Sequence, residues 1–143
     1  MLPADYVINS TLKVGIVYKF KAPELITTTV PHYFIVVGIE DETNYLCLCT
    51  TQLQKKLNHI SHTGHDPNTI AYISPNNNNG LTSDTYINCN DYFTISKEEL
   101  VNKVSNGGFS ISGTLSKSEY EVITTSIDLS YVNDIPKHLL KFE

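Results

Sequence analysis

The sequence predicts one domain that is mainly β with added helices, an α+β chain, and three observations lead there. At 143 residues, with 41% hydrophobic and 17% charged residues, the chain has apolar mass for one core and no separate second domain. Its apolar stretches are short runs of β-branched and aromatic residues separated by polar turns, the usage of small strands. Late in the chain the apolar period changes from two to about 3.6, and each change follows a Ser-x-x-Glu box.

The elements follow in order. In residues 14–20, Ile16, Tyr18 and Phe20 alternate with Val17 and Lys19, which predicts a strand with an aromatic face inward and a mixed face outward. Residues 21–31, with Pro23 and Pro31 near the ends and three threonines in a row, read as a long mobile loop. The run Tyr33-Phe34-Ile35-Val36-Val37 is continuously apolar, as a central strand buried on both faces would be. A turn over 38–44 returns it to a strand at 45–50, forming a hairpin, and 51–57 carry the chain out of the sheet. Residues 59–68 are rich in turn formers and Asn76-Asn77-Asn78-Asn79-Gly80 is an asparagine tract, so the middle of the chain reads as its least structured part, broken by a short strand at 69–73. Residues 85–89 and 91–95 read as another strand pair. Ser96 and Glu99 then form a capping box, stapled by Ile95 and Leu100, and open a short helix with Leu100, Val101 and Val104 on one side. Asn106-Gly107-Gly108 ends it, and 109–113 alternate as a strand. A second box, Ser116 with Glu119, stapled by Leu115 and Tyr120, opens a last helix that packs Tyr120, Ile123 and Ile127 on the sheet. Pro136 interrupts, leaving 137–143 as a terminal helical turn or a frayed tail of the single domain spanning 1–143.

Composition excludes several classes of function. Ten lysines against fifteen acids give a net charge of −5, which rules out a generic basic nucleic-acid coat. The charge is uneven: residues 13–65 hold five lysines against Glu24, Glu40, Asp41 and Glu42, with four of the five histidines, while both capped helices lie in the acidic remainder. No apolar run approaches the roughly 18 to 20 residues of a membrane span, and residues 1–5 lack the basic and apolar regions of a secretion signal. The expectation is a cytoplasmic protein with no membrane contact. Cys47, Cys49 and Cys89 are odd in number and sit in strand-like contexts, as reduced core thiols do; Cys47 and Cys49 share one strand face.

The opening Gly15-Ile16-Val17-Tyr18 strand, the His32-to-Val37 strand, the strand ending in Thr50-Thr51, and Gly113-Thr114-Leu115-Ser116 with Glu119 and Val122 resemble the PemK/MazF-like family. The resemblance spans roughly residues 12–129 and implies a single SH3-like small β-barrel, the toxin of a toxin-antitoxin pair. The implied activity is a metal-independent endoribonuclease that cuts single-stranded RNA, works as a homodimer and is silenced by a cognate antitoxin laid across its RNA groove. One departure stands out. The family places an Arg at the loop-to-strand junction, where this chain has Pro31-His32, and all ten basic residues here are lysines.

Metal-free RNA cleavage needs a base for the 2′-hydroxyl, an acid for the 5′-oxygen and donors around the phosphorane. Imidazole suits both protonic roles near neutral pH, which makes His32, held between a loop and a buried strand, the candidate catalytic group. Thr50 and Thr51 end the adjacent strand, where their hydroxyls and backbone are candidate donors to phosphate. Gln52, Lys55 and Lys56 follow at once as candidate RNA contacts, with Lys19 and Lys21 before the loop. His59, His62 and His65 beside Asp66 have poor ligand geometry because Gly64 and Pro67 interrupt them, so neither metal nor cofactor is expected. The missing Arg leaves an alternative, a catalytically inactive SH3-like barrel that binds RNA or a protein partner. A purely regulatory partner in a two-gene operon is a third reading.

Overall fold

A computed structural model describes residues 2–142. Helix α1 (Ala4–Thr11) precedes strands β1 (Ile16–Phe20), β2 (His32–Glu40) and β3 (Thr43–Thr50). Helix α2 (Leu53–Thr63), strands β4 (Ile70–Ile73), β5 (Thr85–Asn88) and β6 (Phe93–Ser96), helix α3 (Lys97–Ser105), strand β7 (Ser110–Thr114) and helix α4 (Lys117–Leu129) follow. The seven strands make one antiparallel sheet in the order β4-β5-β3-β2-β1-β7, with β6 also on β3.

The continuous apolar run of β2 finds its reason in two cores, one on each face of the central strands. Val17, Ile35, Val37, Cys47 and Cys49 point to one side, where α4 supplies Tyr120, Ile123 and Ile127 and the β4–β5 pair supplies Ala71, Ile73 and Ile87. Ile16, Tyr18, Phe20, Phe34, Val36 and Leu46 point to the other, against Ile8 of α1 and Leu100 of α3. Phe20 and Phe34 stack there with ring centroids 4.6 Å apart. The face of β1 expected outward is therefore half wrong: Val17 is fully buried, because α4 covers that side. Tyr120 anchors the cover by donating its hydroxyl to the Val37 carbonyl at 2.7 Å.

Both capping boxes form as expected. Ser96 accepts from the Glu99 N–H and Ser116 from the Glu119 N–H, and each Glu carboxylate returns to its Ser N–H. Four other expectations are corrected. Gly38 lies inside β2 at a register shift, and the turn is instead at Asp41, in the left-handed region at φ 54°. β5 and β6 do not pair with each other; β6 pairs with the Thr43–Leu46 half of β3 and β5 with its Cys49 and Thr50 end, so β3 serves two partners in succession. Residues 53–63, expected as an exit and then turns, form α2, with Leu53, Leu57 and Ile60 spaced four and three apart and Gly64 closing it at φ 77°. The 21–31 loop carries no regular element, but Ala22 is fully buried and Leu25 and Ile26 pack on the second core, which pins a segment expected to be mobile. Of the 137–143 tail, whose last residue lies outside the described residues, Lys137–Leu139 form a 3-10 turn and Phe142 packs on Tyr120 with ring centroids 5.7 Å apart.

The asparagine tract departs furthest from its expectation. Asn76 Oδ1 accepts from the N–H groups of Asn78 and Asn79, and Asn79 Oδ1 accepts from those of Asn76 and Leu81. Asn79 Nδ2 donates to the Ser74 carbonyl and, at 2.8 Å, to Glu119, which also accepts from Asn76 Nδ2. These side chains substitute for a backbone ladder, so the loop is built rather than loose. It also bridges the two ends of the sheet. No strand pair joins β7 to β4, but Thr114 N–H donates to the Asn78 carbonyl at 2.8 Å, bringing β7 against the loop that follows β4.

Candidate nucleic-acid interface

Three elements converge on a groove of about 640 Å³. The 21–31 loop and the start of β2 bring Thr28, Pro31, His32 and Tyr33; the end of β3 and the first turn of α2 bring Thr50, Thr51, Gln52, Lys55 and Lys56. The loop before β5 and the first residue of β5 close the third side with Thr82, Ser83 and Thr85. Six residues chosen from sequence thus share one cavity: His32, Thr50, Thr51, Gln52, Lys55 and Lys56. Lys19 and Lys21 do not line it. Lys19 Nζ lies 4.8 Å from the centre of the Tyr33 ring, and the Lys21 carbonyl accepts from Lys103.

His32 is held by a contact the sequence did not disclose. Its Nε2 is 2.8 Å from the Thr28 hydroxyl, the tautomer deciding which atom donates. The Thr28 hydroxyl can accept from a protonated Nε2 or donate to an unprotonated one, so it orients the ring in either tautomer. Thr28 sat in a Thr-Thr-Thr run with no signal separating one member from the next. Thr50 Oγ1 accepts from the Gln52 N–H at 3.1 Å, fixing the corner at which β3 turns into α2. Thr82, Ser83 and Thr85 were missed because only the pairing of β5 with β3 brings them here, and that pairing joins Thr50 to Tyr86, 36 positions further along the chain.

The electrostatics of the groove differ from those of the chain. Lys55, Lys56 and His32 line it, and no carboxylate does among the described residues, although the whole protein carries −5. The lysines are placed against local stability. Helix α2 begins at Leu53 with no side-chain cap and no acid in its first turn, so two cations stand at the positive end of its dipole. An anion in the groove would relieve both deficits.

The remaining candidates separate cleanly. His59 and His62 are exposed on α2 and His65 packs on Tyr131 with ring centroids 5.2 Å apart; among the described residues they belong to no group of three or more metal-ligating side chains. Cys49 touches the groove wall but is buried, and burial pushes its thiol well above the ordinary range; burial, with the Asp91 carboxylate adding to it, pushes Cys47 up to about 12. Neither is a thiolate nucleophile at neutral pH. The native protein is therefore expected to leave its three thiols unreactive toward a bulky aromatic disulfide, while the urea-unfolded chain titrates all three. A native thiol reacting at the free-cysteine rate would contradict the burial.

No known family model and no curated protein matches the chain.

Proposed function

We propose that the groove binds single-stranded RNA through its phosphates and that His32 cuts it, the endoribonuclease activity implied by the PemK/MazF-like resemblance. The carrying observation is the sign of the groove, cationic and free of carboxylates among the described residues in an acidic chain. His32 takes the proton of a 2′-hydroxyl, the 2′-oxygen attacks the adjacent phosphorus, and the 5′-oxygen leaves with a proton from solvent, producing a 2′,3′-cyclic phosphate. Lys55 and Lys56 oppose the charge that grows on the phosphorane, and the Thr50 and Thr51 hydroxyls donate to its oxygens. No residue in this scheme requires a metal.

The finer fold belongs to the same reading. An SH3-like barrel is supported by the bond from Thr114 to Asn78, which brings the open ends of the sheet together. A toxin role in the cytoplasm, a homodimer and a cognate antitoxin competing for the groove are implied by the PemK/MazF-like resemblance alone; a short neighbouring gene encoding a protein with an acidic disordered half would supply that antitoxin. One observation favours a second reading, in which the domain binds RNA or a protein tail without turnover: the groove holds a single imidazole and, the chain having no arginine, no planar bidentate phosphate grip.

Binding is tested with a 2′-O-methyl oligonucleotide, which has no attacking hydroxyl. Wild type should bind with strong salt dependence, and Lys55→Ala with Lys56→Ala should weaken binding and reduce the slope of log K against log salt by about 0.7 per lysine. Lys55→Glu separates function from stability: it should abolish binding while raising stability by about 0.3–1 kcal/mol in urea titration, since an acid suits the first helical turn. Salt-independent binding, or Lys55→Glu binding as well as wild type, would remove the groove from the RNA reading.

A further inference from the structure

We infer that the sheet face next to the groove is a stacking platform for the bases of single-stranded RNA, with Tyr86 and Tyr72 as its two rings. It rests on the RNA reading above and extends it from phosphates to bases. Thr50, which lines the groove, is the direct cross-strand partner of Tyr86, and Tyr86 is the direct partner of Tyr72. Directly opposed residues on antiparallel strands share a face, so the three form one row leading out of the groove across β3, β5 and β4. The neighbouring residues Cys49, Ile87 and Ala71 point the other way, into the core. The row is thus the outer face of a sheet whose inner face is fully used.

The rings are available. Tyr72 is 47% exposed and Tyr86 half-buried, and with centroids 5.5 Å apart at an interplanar angle of 40° the rings form a tilted pair rather than a stacked one. Tyr72 is also held in place, its hydroxyl donating to Asp84 at 2.9 Å, which reduces the rotamer freedom lost when a base settles on it. Asp84 adds a polarity to the site. Its carboxylate repels phosphate on the tyrosine side, while Lys55 and Lys56 attract it on the groove side, so a strand lies with its backbone in the groove and its bases over the rings. An RNA single strand fits both halves: charge complementarity in the groove and continuity of the row from Thr50 to the tyrosines.

The test compares two probes on the intact protein, a 2′-O-methyl oligonucleotide and the same backbone with abasic positions, by fluorescence anisotropy. Wild type should bind the base-bearing probe more tightly than the abasic one. Tyr86→Leu or Tyr72→Leu should lose about 5- to 150-fold for the base-bearing probe with little change for the abasic one, and Tyr86→Phe, which keeps the ring, should bind as wild type. Should a leucine variant lose its circular dichroism signal, the wild-type comparison of the two probes decides alone. Equal wild-type affinity for both probes, or folded leucine variants binding like wild type, would overturn the platform and leave the phosphate groove standing. Binding of neither probe would overturn the RNA reading and the platform with it.

Discussion

Gly80→Ala is expected to give a chain that does not reach the native state under conditions where wild type is folded. Gly80 has φ +70°, and a Cβ there would lie 1.9 Å from the Ser112 carbonyl oxygen and 2.5 Å from its carbon. Both are backbone atoms of β7, so no side chain can swing aside. The loop cannot retreat either, because Asn76 and Asn79 are tied to Glu119 of α4 and the Asn78 carbonyl to the Thr114 N–H of β7. Gly64→Ala and Gly107→Ala supply the comparison: both glycines have positive φ, at 77° and 82°, with nothing within 4 Å of the added carbon. They should cost about 1–2 kcal/mol, the strain of a left-handed L-residue alone. Urea titration followed by circular dichroism reads the difference. A Gly80→Ala protein no less stable than those two would mean that the loop does not press on β7.

The second large effect concerns chemistry. His32→Ala is expected to lower RNA cleavage about 10²- to 10⁴-fold, the contribution of one proton-transfer group, while affinity for the 2′-O-methyl probe stays within a few-fold because Lys55 and Lys56 remain. Thr28→Val should reduce cleavage by less, since it removes the ring's orienting partner and not the ring. Single-turnover measurements with protein in excess separate cleavage from binding. Cleavage unaffected by His32→Ala would assign the chemistry to another group.

How much of this was legible in the sequence depends on how local the signal was. The two capping boxes, with their Ile95–Leu100 and Leu115–Tyr120 staples, are complete within a few residues, and both helices begin where the boxes place them. The run of β2 named its double burial because it left no polar face. Helix α2 was harder: it lacks an N-cap, and its apolar positions Leu53, Leu57 and Ile60 are diluted by lysines, asparagine and histidines. The asparagine tract misled for a physical reason. The same local side-chain bonds that make asparagine common in disordered turns shape this loop, but the partner that anchors it, Glu119, becomes a neighbour of Asn76 and Asn79 only after folding. The groove shows both cases. Thr50, Thr51, Gln52, Lys55 and Lys56 are consecutive or nearly so, and their association with His32 follows from the β2–β3 hairpin. Thr28 and the Tyr86–Tyr72 row depend on loop conformation and on the switch of β3 from β6 to β5, which no local pattern encodes.

Cleavage of RNA from the cationic groove of this acidic domain is tested by incubating the purified protein with a mixed single-stranded RNA pool in excess chelator and analysing the product ends. Wild type should leave fragments ending in 2′,3′-cyclic phosphate, with His32→Ala leaving the pool almost intact. A pool untouched by wild type across a range of pH, indistinguishable from the His32→Ala reaction, would contradict it.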